Sequence, residues 1–161
     1  MERVHTHIDD NFEEYLTAIE GIVRQRSISA TGEGIRECAA LLAEMMVSVG
    51  IKTEIRETEG NPVVYGELFS GNKNARTVLF YGHYDVQPPE PLELWDSEPF
   101  EPSIRNGRLY ARGIADNKGQ LMAHILAVRA FRESGAEIPC NAKFVFEGEE
   151  ESGSTNLAAF V

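Results

Sequence analysis

The 161-residue chain has little cysteine, a shortage of base and no long apolar run. Each shortage excludes a class of protein. Its two cysteines, Cys38 and Cys140, have no CxxC spacing and no secretory context, which argues against a disulfide frame or a zinc finger. Fifteen Lys and Arg stand against 26 Asp and Glu, for a net charge of −11. Nucleic acids and anionic membranes are gripped by basic stripes, so neither is an expected partner. The first residues, Met1 to His7, lack the apolar stretch of a signal peptide, and nothing approaches the ~20 apolar residues of a spanning helix. A soluble, cytoplasmic protein is expected. HExxH, an EF-hand loop, GxSxG and GxxxxGK[ST] are all missing, and Lys118 precedes its glycine where a phosphate loop would have the reverse.

The length suits one domain with a real core. Helical spacing of Phe12, Tyr15, Leu16, Ile19, Ile22 and Val23 predicts a helix over 9–26, with His5 and His7 in a frayed terminus. A second helix is predicted over 33–49, with Cys38 on its apolar stripe and Gly50 as its stop. Strands are expected at 52–57, 63–68, 77–81 and 143–146. The apolar run Thr77 to Tyr81 reads as a central strand buried on both faces. Five prolines and Trp95 within 87–102 predict an ordered surface loop. Asn106-Gly107 predicts a hairpin pairing Arg105 with Arg108 and Ile104 with Leu109. A helix over 117–134 carries Leu121, Ile125, Val128 and Phe131 inward, with His124 as a packing or surface histidine. The order strand, helix, strand predicts an α/β fold with a largely parallel sheet and right-handed crossovers. The last residues, Thr155 to Val161, form an apolar helical pattern with no polar tail, the expectation for the front portion of a longer polypeptide.

Three short stretches concentrate metal-binding side chains: Gly82-His83-Tyr84-Asp85, Gly113-Ile114-Ala115-Asp116-Asn117-Lys118-Gly119, and Glu149-Glu150-Glu151-Ser152-Gly153-Ser154. The first and third follow apolar strands and the second precedes a helix, so all three can meet at one sheet edge, where open α/β sheets bind ligands. Each also has a plain reading. His83 and Asp85 are either a strand-end hydrogen-bonded pair or an imidazole oriented by a carboxylate while its other nitrogen binds metal. Asp116 is either a helix N-cap or a carboxylate between two metal ions, with Gly113 and Gly119 allowing close backbone approach. The three glutamates are either a solvated acidic turn or a division of labour, one coordinating metal and its neighbour taking a proton from water. Packed together without cations, Asp85, Asp116, Glu150 and Glu151 repel one another, which favours a dinuclear metal hydrolase.

In this order and spacing the three motifs resemble the M20 family of metallopeptidases and amidohydrolases. The Asp85-Val86-Gln87-Pro88 and Trp95-Asp96-Ser97-Glu98-Pro99-Phe100 stretches are most similar to its carnosinase-like dipeptidase branch. The resemblance implies a three-layer α/β/α catalytic domain with a mixed sheet and two divalent ions, zinc or else manganese or cobalt. It implies that His83 ligates one ion, Asp116 both and Glu151 the other, that Asp85 orients His83, and that Glu150 is the general base. It also implies a cis Asp116–Asn117 peptide bond and a small peptide or N-acyl amino acid as substrate. Family members supply two more ligands and a lid and dimerisation domain later in the chain. Residues 1–161 are therefore expected to be the N-terminal part of the catalytic domain of a homodimeric parent, inactive alone. An N-acyl amino acid deacylase or desuccinylase, and a non-catalytic binding or assembly member, are the rival readings.

Overall fold

A computed structural model describes residues 1–161. Helices α1 (Glu2–Asp10), α2 (Phe12–Arg24) and α3 (Ile35–Ser48) lead into β1 (Lys52–Arg56), β2 (Val63–Leu68) and β3 (Thr77–His83). The hairpin of β4 (Ser103–Arg105) and β5 (Arg108–Tyr110) follows, then α4 (Lys118–Glu133), β6 (Asn141–Glu147) and a short α5 (Leu157–Phe160). No helix is long and apolar enough to cross a membrane.

The main sheet is mixed, in the order β1-β2-β6-β3. β1, β2 and β6 pair antiparallel, and the parallel relation is confined to β3 and β6. That pair is joined through α4, the long crossover a parallel pair requires. Its register sets Thr77 beside Asn141 and His83 beside Glu147. The carboxyl ends of β3 and β6 are therefore level, and the segments that follow them leave the sheet together. The returning α4 starts at that same edge.

Period-two alternation turns Ala142, Phe144 and Phe146 of β6 toward the helices, all nearly or fully buried. Phe144 stacks on Phe80 at 5.2 Å, and Phe80 meets His124 of α4 at 4.6 Å. Helices α2, α3 and α4 close this core with Ile22, Val23, Cys38, Leu42, Met46, Leu121, Met122 and Ile125. Cys38 and Cys140 are free thiols. The opposite sheet face is open: Leu79 is 62% and Tyr81 49% exposed, and the four-residue α5 sets Phe160 against Tyr65.

Two local expectations are corrected. β3 is an edge strand; β6 takes the centre between β2 and β3. An apolar run reports burial capacity, not sheet position, and the residues of β3 that face away from the helices stay exposed. The single first helix is two helices, broken at Asn11, whose side-chain amide donates to the His7 carbonyl at 2.8 Å. His5 and His7 thus lie within α1, anchored by buried Val4, with His7 Nε2 3.0 Å from Glu133. The hairpin forms in the expected register, with Asn106 and Gly107 both at positive φ.

Candidate metal centre

The site grows from the end of β3. His83, 5% exposed, is the last residue of that strand, and Asp85 beyond it is fully buried. The imidazole Nδ1 lies 3.1 Å from the Asp85 carbonyl and 3.4 Å from its carboxylate. Nε2 points the other way, 2.9 Å from Asp116 Oδ1 and 3.7 Å from Glu150 Oε2. Burial alone pushes the imidazole pKa down; the hydrogen bonds and charge of Asp85, joined by Asp116, overcome it and raise the pKa to about 9. Without a cation, a His83 proton thus offsets part of the carboxylate repulsion expected from the sequence.

Asp85 does more than face His83. Its two carboxylate oxygens accept the backbone N–H groups of Glu150 at 3.2 Å and Glu151 at 3.0 Å. These residues open a single 3₁₀ turn, Glu150–Ser152, just past β6. One buried carboxylate therefore joins the first motif to the third.

Asp116 enters from the second motif. It is not the N-cap of α4; Asn117 holds that position and makes no side-chain capping bond. Instead Asn117 Oδ1 accepts the His83 backbone N–H at 3.3 Å, tying the loop to the end of β3. The Asp116–Asn117 peptide is cis. Both flanking glycines are required for close approach. Gly113 has φ +84°, and a Cβ there would sit 2.8 Å from Val86; a Cβ at Gly119 would sit 2.1 Å from the Ile114 carbonyl oxygen. The Asp116 side chain itself is 73% exposed.

The acidic run divides its roles. Glu149 turns away from the cluster and accepts the Asn61 N–H at 2.8 Å together with the backbone and side-chain amides of Asn156. Glu150 is 44% exposed beside His83 Nε2. Glu151 accepts a 2.9 Å hydrogen bond from the Gln87 amide, which also reaches the Glu151 carbonyl. His83, Asp116 and Glu151 each offer a donor atom, all within 4.8 Å of one another. Five residues from three separate parts of the chain, His83, Asp85, Asp116, Glu150 and Glu151, thus gather at one edge, as expected, and His124 stays apart as a packing residue.

Sequence reasoning missed the supporting residues. Gln87 and Asn117 lie inside the quoted motifs, and only the long-range fold shows what they touch. Glu147 is 1% exposed; its Oε1 accepts the hydroxyls of Tyr81 at 2.5 Å and Ser154 at 2.9 Å, and its Oε2 has no partner. Burial and that carboxylate push the Tyr81 phenol up, which keeps it a donor. Nothing in a strand-end glutamate announces this.

An imidazole nitrogen combined with carboxylate oxygens suits zinc or a neighbouring transition metal better than calcium, which takes oxygen ligands alone. Imidazole Nδ1 engaged by Asp85, with Nε2 facing acids, is how proteins orient a metal-ligating histidine. The donor set fits a divalent ion.

The sequence profile of Peptidase family M20/M25/M40 matches residues 79–161, just over half of the chain. The Cys-Gly metallodipeptidase dug1 of Schizosaccharomyces pombe is 33% identical over 98% of this chain and 36% of its own length. Succinyl-diaminopimelate desuccinylase of Thioalkalivibrio sulfidiphilus is 32% identical over 88% of this chain and 36% of its own. The crystal structure of human carnosine dipeptidase 1 superposes with a TM-score of 0.93 at 32% identity, covering 99% of this chain and 37% of that one. The chain thus spans little more than a third of the length of these relatives.

Proposed function

The chain belongs to peptidase family M20/M25/M40, and from that premise we propose that residues 1–161 are the N-terminal part of the catalytic domain of a metal-dependent dipeptidase. The observation that carries the reading is the convergence of His83, Asp116 and Glu151 donor atoms within 4.8 Å from positions 33 and 35 residues apart along the chain. His83 and Glu151 would each hold one divalent ion, zinc in the first instance, and Asp116 would serve as a ligand to both. When bound, such ions supply Lewis-acid polarisation of a scissile carbonyl and make water a stronger acid.

The chain's own groups do the rest. Asp85 fixes the His83 ring and, through two backbone N–H groups, the turn carrying Glu150 and Glu151. Glu150, exposed and level with the cluster, takes the proton from the attacking water. As the amide C–N bond breaks, the same carboxyl returns that proton to the leaving amine. Three donors cannot give two ions the three protein ligands each that catalytic zinc sites usually have. The 161-residue chain therefore holds metal weakly and turns over little or no substrate, and the parent acts as a homodimer on small peptides. The desuccinylase relative supports a second reading, the same hydrolysis on an N-acyl amino acid.

Zinc content and affinity of the purified chain and of Asp116→Ala test the proposal. Binding that the substitution abolishes is expected. Equal zinc uptake by the variant, or EDTA-sensitive dipeptide hydrolysis by the 161-residue chain at ordinary enzyme rates, would overturn the corresponding half.

A further inference from the structure

Lys118 is the one lysine or arginine among the buried residues, and it is fully buried. Its ammonium donates to the carbonyl oxygens of Ile22 at 3.2 Å and Gln25 at 2.5 Å, backbone groups 96 and 93 residues away. These lie in the last turn of α2 and just beyond it, where carbonyls have no partner within the helix and the dipole is negative. The lysine therefore acts as a C-terminal cap delivered from a distant segment. An apolar side chain of the same length would fill this space without the cost of burying an ammonium. What it would not do is tie α4 to α2.

The other end of the residue closes the second motif. Lys118 N–H donates to the Gly113 carbonyl at 2.9 Å, and its Cδ lies 3.3 Å from the place a Gly113 Cβ would occupy. Between these two residues runs the loop that presents Asp116. The Asp116 carboxylate is largely exposed and its one hydrogen-bond partner is His83 Nε2, so its position is set by the backbone on either side. Asn117 Oδ1, at 3.3 Å from the His83 N–H, is a long contact to carry that alone.

We propose that Lys118 is a positioning residue for Asp116, holding the 113–118 loop against the end of α2 so that the carboxylate meets His83 Nε2. The inference deepens the metal-hydrolase reading and rests on it for its purpose. Its geometry can be tested without metal.

The test compares the 161-residue chain with Lys118→Met and with Ile125→Ala, a core truncation on the same helix. In metal-free protein, ¹⁵N signals of the His83 imidazole report the Nε2 contact, and hydrogen exchange reports the amides of 113–117. Lys118→Met is expected to shift the His83 Nε2 signal and to speed exchange in that loop about tenfold or more. Ile125→Ala is expected to lower the melting temperature and leave both readings alone. An unchanged His83 signal and loop exchange in Lys118→Met, or equal changes in Ile125→Ala, would overturn the proposal. If Lys118→Met does not fold, Lys118→Gln takes its place, with the same two readings deciding; failure of both to fold also overturns it, since Lys118 would then serve the whole fold. In a parallel zinc titration, weakening by about tenfold is expected for the lysine variant, the usual effect of losing a group that orients a ligand. Absence of zinc binding by the parent chain would sink the metal-centre reading, while the metal-free readings would still decide the role of Lys118.

Discussion

Replacing Asp85 by Asn tests whether one buried carboxylate organises the site. The side chain is fully buried, and its two oxygens accept the N–H groups of Glu150 and Glu151 while one lies 3.4 Å from His83 Nδ1. Asn keeps the shape and one carbonyl acceptor, but must turn an amide NH₂ toward the second N–H. A hydrogen bond to an ionised group contributes ~1.5–3 kcal/mol and a buried donor left unpaired costs ~1–3 kcal/mol. A loss of about 3 kcal/mol follows, a large share of the ~5–15 kcal/mol that holds a domain together. Glu150→Gln is the matched control: its side chain is half exposed and makes no close hydrogen bond, so its cost should stay within ~0.5 kcal/mol. Urea unfolding followed by circular dichroism measures both. The second readout is the His83 pKa by NMR, which should fall from about 9 toward its ordinary value, because Asp85 supplies the main upward influences. A loss below 0.5 kcal/mol in Asp85→Asn, or a His83 that still titrates near 9, would show that Asp85 is a passive neighbour.

Gly119→Ala should destabilise by ~1–3 kcal/mol, the usual cost of overpacking, even though alanine favours helix by ~1 kcal/mol, because its Cβ would lie 2.1 Å from the Ile114 carbonyl; a raised melting temperature would contradict this. His124 predicts a pH dependence. Burial lowers its pKa below 6.5, so below about pH 6.5 the unfolded chain binds more protons than the folded one and stability falls as the pH drops. His124→Phe, which can still stack on Phe80, should flatten that slope between pH 7.5 and 5, and an identical acid loss in both proteins would remove His124 as its source.

Much of this architecture was legible because it is written locally. Turn chemistry at Asn106-Gly107, the strand 63–68 between its punctuating residues, and the stripe of α4 all depend on neighbours within a few positions. The gathering of the three motifs was legible for a different reason. A strand, a crossover helix and a parallel partner place the carboxyl ends of both strands and the amino end of the helix at one edge, so chemistry at those three places must converge. Illegible were the features decided by pairing across long separations. The run Thr77 to Tyr81 looks central, yet β6 claims the middle of the sheet. Glu149, Glu150 and Glu151 are indistinguishable as letters, but a 3₁₀ turn sends Glu149 to Asn61 and Asn156 and leaves its neighbours at the cluster.

Lys118 shows the same limit most sharply. A lysine at a helix start reads as a solvated charge, and only the approach of α2 supplies carbonyls that make its burial tolerable. The residues that do chemistry are recognisable by type and spacing, whereas those that hold them in place take their identity from a partner up to a hundred residues away. For this site the second group is substantial: Gln87 on Glu151, Asn117 on His83, Asp85 on the 150–151 turn. A sequence retaining His83, Asp116, Glu150 and Glu151 but losing this framework would keep every residue proposed to bind metal or take the proton, and would not assemble the cluster.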